Sequence, residues 1–82
     1  MITVKLYGLY RFESKKPVFE YEKAENISAV LSLLAGETGV AEAVWKNAVM
    51  YVNGTAIDKL KMFRTPLKDG DILSILSPAS GG

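Results

Sequence analysis

The sequence predicts an α+β domain: a mixed sheet of four to five strands packed on one main helix. Three observations carry this. Short apolar-alternating runs stand at both ends of the chain and in its middle. A single strong helical stripe lies between the second and third of them. An Asn53-Gly54 pair marks a tight turn late in the chain. The order is strand, strand, helix, strand, strand, and a helix stripe laid across one sheet face fits it.

Ile2, Val4 and Leu6 alternate with Thr3, Lys5 and Tyr7, the pattern of a half-buried strand. Gly8 and the stretch from Leu9 to Lys16 end it. Arg11, Lys15 and Lys16, with Glu13 and Ser14, make that stretch a solvated connection. Pro17 opens a second run, Val18 to Glu22, with Phe19 and Tyr21 on one side and Glu20 and Glu22 on the other. Their closeness in sequence predicts an antiparallel hairpin.

Ile27, Val30, Leu31, Leu34 and Ala35 fall at i, i+3, i+4, i+7 and i+8, one apolar helical stripe. Asn26 is placed to cap its start, and Gly36 or Gly39 to end it. A shorter helical piece over Ala41 to Lys46 is expected to carry Val44 and the single Trp45 toward the core. Val49 to Val52 reads as a third strand, apolar on both faces, running into a type I′ turn at Asn53-Gly54. Thr55 to Ile57 is expected to return as a short strand, and Asp58 to Arg64 to be irregular. Lys68-Asp69-Gly70-Asp71 is a turn by residue type. Ile72 to Leu76 is the last strand, apolar on both faces like a central one. If the first and last strands pair in parallel at the sheet centre, whatever follows Leu76 leaves from one end of the sheet.

Composition narrows the function classes. Eighty-two residues with 49 % apolar and 23 % charged side chains make one ordinary globular domain. A net charge of +1 argues against a strong electrostatic grip on nucleic acid or anionic membrane. Cysteine and histidine are both absent, which excludes a disulfide framework, a thiol nucleophile and a histidine-based triad. No apolar run approaches the length of a membrane span. The N-terminus lacks the pattern of a signal peptide, so a reducing, cytoplasmic setting is expected.

After Leu76 the pattern stops. Ser77-Pro78-Ala79-Ser80-Gly81-Gly82 contains no bulky or charged side chain. Five extended residues reach roughly 17 Å, and a Gly-Gly end lacks Cβ atoms, so it fits a narrow channel in almost any conformation. Its reactive group is the carboxylate of Gly82. The plainer account is a frayed, small-residue end.

That order, with Leu6-Tyr7-Gly8, a following Arg11, Val52-Asn53-Gly54, the Leu67-Lys68-Asp69-Gly70-Asp71 turn and the Gly81-Gly82 end, resembles the ubiquitin-like β-grasp sulfur carriers. Within them it is most similar to the small subunit of molybdopterin synthase, and it is longer than the related thiamine-pathway carriers tend to be. The resemblance implies a β-grasp domain over residues 1–77 and a flexible tail over 78–82. It implies that an E1-like enzyme uses ATP to adenylate Gly82. A sulfur donor then displaces AMP to leave a thiocarboxylate, and the large synthase subunit receives the sulfur to form the molybdopterin dithiolene. Gly82, with Gly81, is then the modification site. No catalytic side chain, metal or bound cofactor is expected of the chain itself. One departure stands out: Ser77 occupies the place of the family's first tail proline, which leaves the backbone entering the tail less stiff.

A tail carrier also needs a docking face. Tyr7 on the outward phase of the first strand, Phe63 in a polar loop and Leu76 beside the tail are the apolar candidates. Pro78, Ala79, Ser80 and Arg11 are further expected partner contacts. Filling the core is the competing role for Phe63 and Leu76, and plain surface charge the competing role for Arg11 and Lys68. Glu20 and Glu22 share a strand face but read as solvated, and Asp69-Gly70-Asp71 lacks calcium-loop spacing. Lys59, Lys61 and Arg64 form a small basic group and Tyr51 offers a ring for base stacking, but the chain carries no RNA-binding signature. Three functional readings follow: a sulfur carrier for molybdopterin, thiamine or tungsten-pterin synthesis; a modifier joined through Gly82 to a target lysine; and an interaction module whose glycines are incidental.

Overall fold

The computed structural model describes residues 1–8 and 16–77. Strands β1 (Ile2–Tyr7) and β2 (Val18–Tyr21) precede helices α1 (Ile27–Thr38) and α2 (Glu42–Lys46). Strands β3 (Val49–Val52) and β4 (Thr55–Ala56) follow. Two single turns of 3-10 helix, Ile57–Lys59 and Met62–Arg64, then lead to β5 (Ile72–Leu76). The five strands form one sheet in the order β2-β1-β5-β3-β4. β1 and β5 are parallel at its centre, and every other pairing is antiparallel.

Alternation decides which face is buried. Ile2, Val4 and Leu6 of β1, Phe19 of β2, Met50 and Val52 of β3, and Leu73 and Ile75 of β5 all point to one side. The α1 stripe of Ile27, Val30, Leu31 and Leu34 closes over them, and Trp45 of α2 is fully enclosed beside it. Burying each such large aliphatic side chain contributes roughly 1.5–3 kcal/mol.

The helix ends are chemically defined. Asn26 is extended at φ −155°, and its Oδ1 accepts the Ala29 N–H at 2.9 Å. Of the two candidate stops, Gly39 ends the helix: it adopts φ +80° and donates its N–H to Ala35 O at 2.9 Å. Gly36 stays inside α1, on its exposed side. The Tyr21 hydroxyl donates to Glu37 Oε1 at 2.9 Å, tying β2 to the last turn of α1. Burial first, and the Glu37 carboxylate second, push that phenol above its ordinary range.

Three expectations need correction. Val44 does not face the core; it is 40 % exposed, whereas Trp45 is fully buried. Successive helical residues point about 100° apart, so a five-residue helix that buries Trp45 turns Val44 outward. The return strand stops at Ala56, because Ile57 begins a 3-10 turn that drops its side chain into the core. The 58–64 stretch is locally ordered: buried Thr65 accepts the Lys61 N–H at 3.0 Å through Oγ1 and donates the hydroxyl proton to Met62 O at 2.7 Å.

Asn53 at φ +50° and Gly54 at φ +87° form the expected turn between β3 and β4. The 68–71 turn closes through the Asp71 N–H on Lys68 O at 3.0 Å. Beside it, the N-terminal ammonium pairs with Asp69.

Candidate partner-docking face at the end of the sheet

Parallel pairing of β1 and β5 brings Tyr7 abreast of Leu76, the last residue of each strand. β3 lies on the other side of β5, and there Val49 is the cross-strand neighbour of Leu76. All three are on the sheet face turned away from α1, because the alternate residues Leu6, Ile75 and Met50 are buried beneath it. Tyr7 and Val49 are each 43 % exposed, and Leu76 between them is half-buried. The result is an apolar row across three strands, and the next residue after Leu76 is Ser77, the root of the tail.

Phe63 does not join this row directly. It is half-buried against the edge of the core, with Lys46 Nζ 5.7 Å from its ring centroid. It lines a groove of about 290 Å³ with Met62, Tyr51 and Val49. Val49 therefore belongs to both features and links Phe63 to Leu76. Val49 was absent from the sequence-based candidates because β3 reads as apolar on both faces, which hides its outward side. Lys59, Lys61 and Arg64 are exposed on and between the two 3-10 turns beside this groove.

Other candidates fall elsewhere. Lys68 and the 69–71 turn are at the opposite end of the sheet, beside the start of β1. A larger cavity of about 650 Å³ lies there too, floored by Ile2, Ala24 and Leu67. Five residue-to-residue steps along β1 take Ile2 to Tyr7, roughly 17 Å at about 3.4 Å each, so this cavity is remote from the tail root. Glu20 is exposed opposite Thr3, and Glu22 is exposed just beyond β2. Among the described residues no group of carboxylates could hold a metal ion, and no helix is long and apolar enough to cross a membrane. Arg11, Pro78, Ala79, Ser80, Gly81 and Gly82 lie outside the described residues.

A mixed five-stranded sheet on one main helix, with β1 and β5 parallel at its centre, defines the class: a β-grasp, ubiquitin-like domain. The sequence profile of the ThiS family matches residues 4–82. The chain belongs to the ThiS family, ubiquitin-like sulfur carriers. Small archaeal modifier protein 1 of Methanosarcina acetivorans is 26 % identical with a TM-score of 0.87, over 99 % of this chain and 95 % of that one. A chain in the complex of subunits 1 and 2 of the molybdopterin-converting factor of Helicobacter pylori is 30 % identical with a TM-score of 0.68, over 99 % of this chain and 97 % of that one. The Amycolatopsis orientalis BexX/CysO complex contains a chain sharing the fold at TM-score 0.85 and 20 % identity, each chain fully covered. No curated protein sequence matches the chain.

Proposed function

We propose that this sulfur carrier serves as the small, sulfur-donating subunit of a molybdopterin synthase. The observation that carries the reading is the 30 % identity, over 99 % of the chain, to the Helicobacter pylori molybdopterin-converting factor complex. The apolar row Tyr7–Leu76–Val49 supports it, since a carrier that acts through its tail needs a docking surface at the tail's root.

The chemistry runs through Gly82. A carboxylate is a poor electrophile; an E1-like partner transfers AMP from ATP to it and releases pyrophosphate. A sulfur donor at the hydrosulfide level attacks the acyl carbon, AMP leaves, and a thiocarboxylate remains. Its sulfur is nucleophilic at neutral pH. In the large subunit it displaces an oxygen substituent from a carbon of the pterin precursor. Water then cleaves the acyl–sulfur bond, leaving the sulfur on the pterin and regenerating the Gly82 carboxylate. The carrier supplies the group, while the partner supplies acid, base and binding, in keeping with a chain that has no His or Cys.

A second reading, a modifier joined through Gly82 to lysine, is favoured by the similarity to small archaeal modifier protein 1. The same acyl-adenylate serves both; only the acceptor differs. The test is an intact-mass spectrum after incubation with the activating enzyme, ATP and sulfide, beside a Gly82 deletion. Replacement of one oxygen by sulfur, confined to the full-length chain, supports the carrier role. Pterin dithiolene formation on adding the large subunit supports the synthase role, and high-mass lysine conjugates in lysate support the modifier instead. An unchanged mass overturns both.

A further inference from the structure

We propose that Gly8 is a positioning residue for the C-terminal tail, acting through close steric fit with Ser77; the proposal rests on the carrier reading above. Tyr7 and Leu76 are register partners, so the residues that follow them, Gly8 and Ser77, emerge side by side from the parallel pair at the sheet centre. Gly8 adopts φ +67°, a left-handed conformation that side chains disfavour. Space is the second constraint. A Cβ built at Gly8 would overlap Ser77 Oγ and stand 3.4 Å from Ser77 Cβ and 3.7 Å from its backbone nitrogen.

The other positive-φ glycines isolate this effect. Gly39, Gly54 and Gly70, at φ +80°, +87° and +94°, have nothing within 4 Å of a built Cβ. Among the described glycines of this conformation, Gly8 is therefore the one whose missing side chain makes room for another segment. That segment is the root of the tail. Any Cβ at position 8 displaces Ser77 or forces its hydroxyl to turn away.

The consequence is directional. Tyr7 and Leu76 form the docking row, and each is one residue from the Gly8–Ser77 contact. When the row is seated on a partner, the channel that admits the tail must begin next to it. A shift at Ser77 moves the point, and turns the direction, from which the tail sets out toward that channel. Docking is untouched by such a change; delivery is not, and a misplacement of about 1 Å at a reacting group costs up to about a hundredfold in rate.

The test compares Gly8→Ala, Gly8→Ala with Ser77→Ala, and Gly70→Ala as a control that also has a positive φ but open space around a built Cβ. Adenylation of Gly82 is followed as pyrophosphate release by the activating enzyme over a range of carrier concentrations. The expected result is a fall in kcat of about tenfold or more for Gly8→Ala, with KM within about twofold. Removing Ser77 Oγ restores kcat, and Gly70→Ala matches the wild type. Equal kcat for Gly8→Ala and Gly70→Ala, or no rescue by Ser77→Ala, overturns the proposal. A second readout is independent of activity. The chain has no native cysteine, so spin labels at Ser80→Cys and Lys68→Cys report the tail's direction alone. Gly8→Ala is expected to shift that distance distribution and Ser77→Ala to shift it back; an unchanged distribution overturns the proposal. If the wild type is not adenylated, the carrier reading fails while the label measurement still decides the role of Gly8.

Discussion

Asn53 Nδ2 donates to Asp71 Oδ1 at 2.9 Å, joining the β3–β4 turn to the turn that launches β5. The same asparagine accepts the Ile72 N–H through Oδ1 at 2.9 Å and donates its own N–H to Ile72 O at 2.8 Å. Asp71 completes the clasp by accepting the Lys68 N–H at 2.9 Å through Oδ2. One residue in a left-handed turn conformation thus sets both the hairpin and the start of the central strand. The register of β5, and with it the pairing of Leu76 with Tyr7 and Val49, depends on that clasp.

Stability is expected to fall in acid through Asp71. The Lys68 backbone N–H is the largest cause holding its carboxyl below the usual range, aided by the Asn53 amide and the Lys68 charge and opposed by burial. A carboxylate whose folded pKa is lowered contributes its full stabilisation above the ordinary value of 3.8. That contribution drains as pH falls below 3.8 toward the lowered folded value. Denaturant titrations from pH 7 downward should show the loss in this window, and Asp71→Asn should remove that part of it. At neutral pH Asp71→Asn should cost about 1–3 kcal/mol, because its amide nitrogen must then face one of two donors, Asn53 Nδ2 or the Lys68 N–H.

Asn26 is a second point of control. Its Oδ1 satisfies the Ala29 N–H at the start of α1, and its backbone bridges Pro66 on the segment leading to β5. Asn26→Ala should destabilise by about 1 kcal/mol, a fall in Tm of roughly 4–8 °C for a domain of this size. Asn26→Asp should keep most of the stability, since a carboxylate oxygen accepts the same bond. A variant with an unchanged Tm would mean that the cap contributes nothing.

These features differ in how far sequence alone discloses them. The α1 stripe spans two turns, so its period fixes both the helix and its buried side. Asn53-Gly54 is legible because both turn positions require positive φ, which few residue pairs accept. The phase of α2 is not legible, since five residues hold too little of the 3.6 period to tell Val44 from Trp45. Val49 is hidden because a strand apolar on both faces does not reveal which side the helix covers. Gly8 reads only as a strand end; its steric requirement comes from Ser77 at the other end of the chain, and pairing alone brings the two together. The Tyr7–Leu76 contact follows from the parallel pairing, whereas Phe63 falls short of the row because Thr65 winds its segment into a 3-10 turn.

Neighbouring positions in α2 should respond in opposite ways. Trp45 is fully buried, and Trp45→Ala should cost about 3–5 kcal/mol, enough to unfold much of the population. Val44 is 40 % exposed, and Val44→Ser should stay within about 0.5 kcal/mol of the wild type. Chemical denaturation of both variants checks this. Comparable losses at the two sites would show that α2 is seated the other way round.

The apolar row makes the sharpest functional prediction. Val49 is exposed and flanks Leu76, so Val49→Glu should leave the fold intact while placing a charge within the proposed docking surface, directly beside Leu76. Seating an unpaired carboxylate in a desolvated apolar contact is costly, and disrupting an apolar anchor at such an interface costs about 2 kcal/mol or more. Sulfur loading of Val49→Glu by the activating enzyme should therefore show KM raised by roughly 30-fold, since 1.4 kcal/mol is about a factor of ten. Its kcat should hold, because Gly8 and Ser77 are unaltered. A charge change at Lys23, exposed at the remote end of the molecule, should alter neither constant. An unmoved KM in Val49→Glu, with Tm unchanged, would place the docking surface away from this row. A KM that rises equally in Lys23→Glu would show that net charge, rather than apolar contact, governs the encounter.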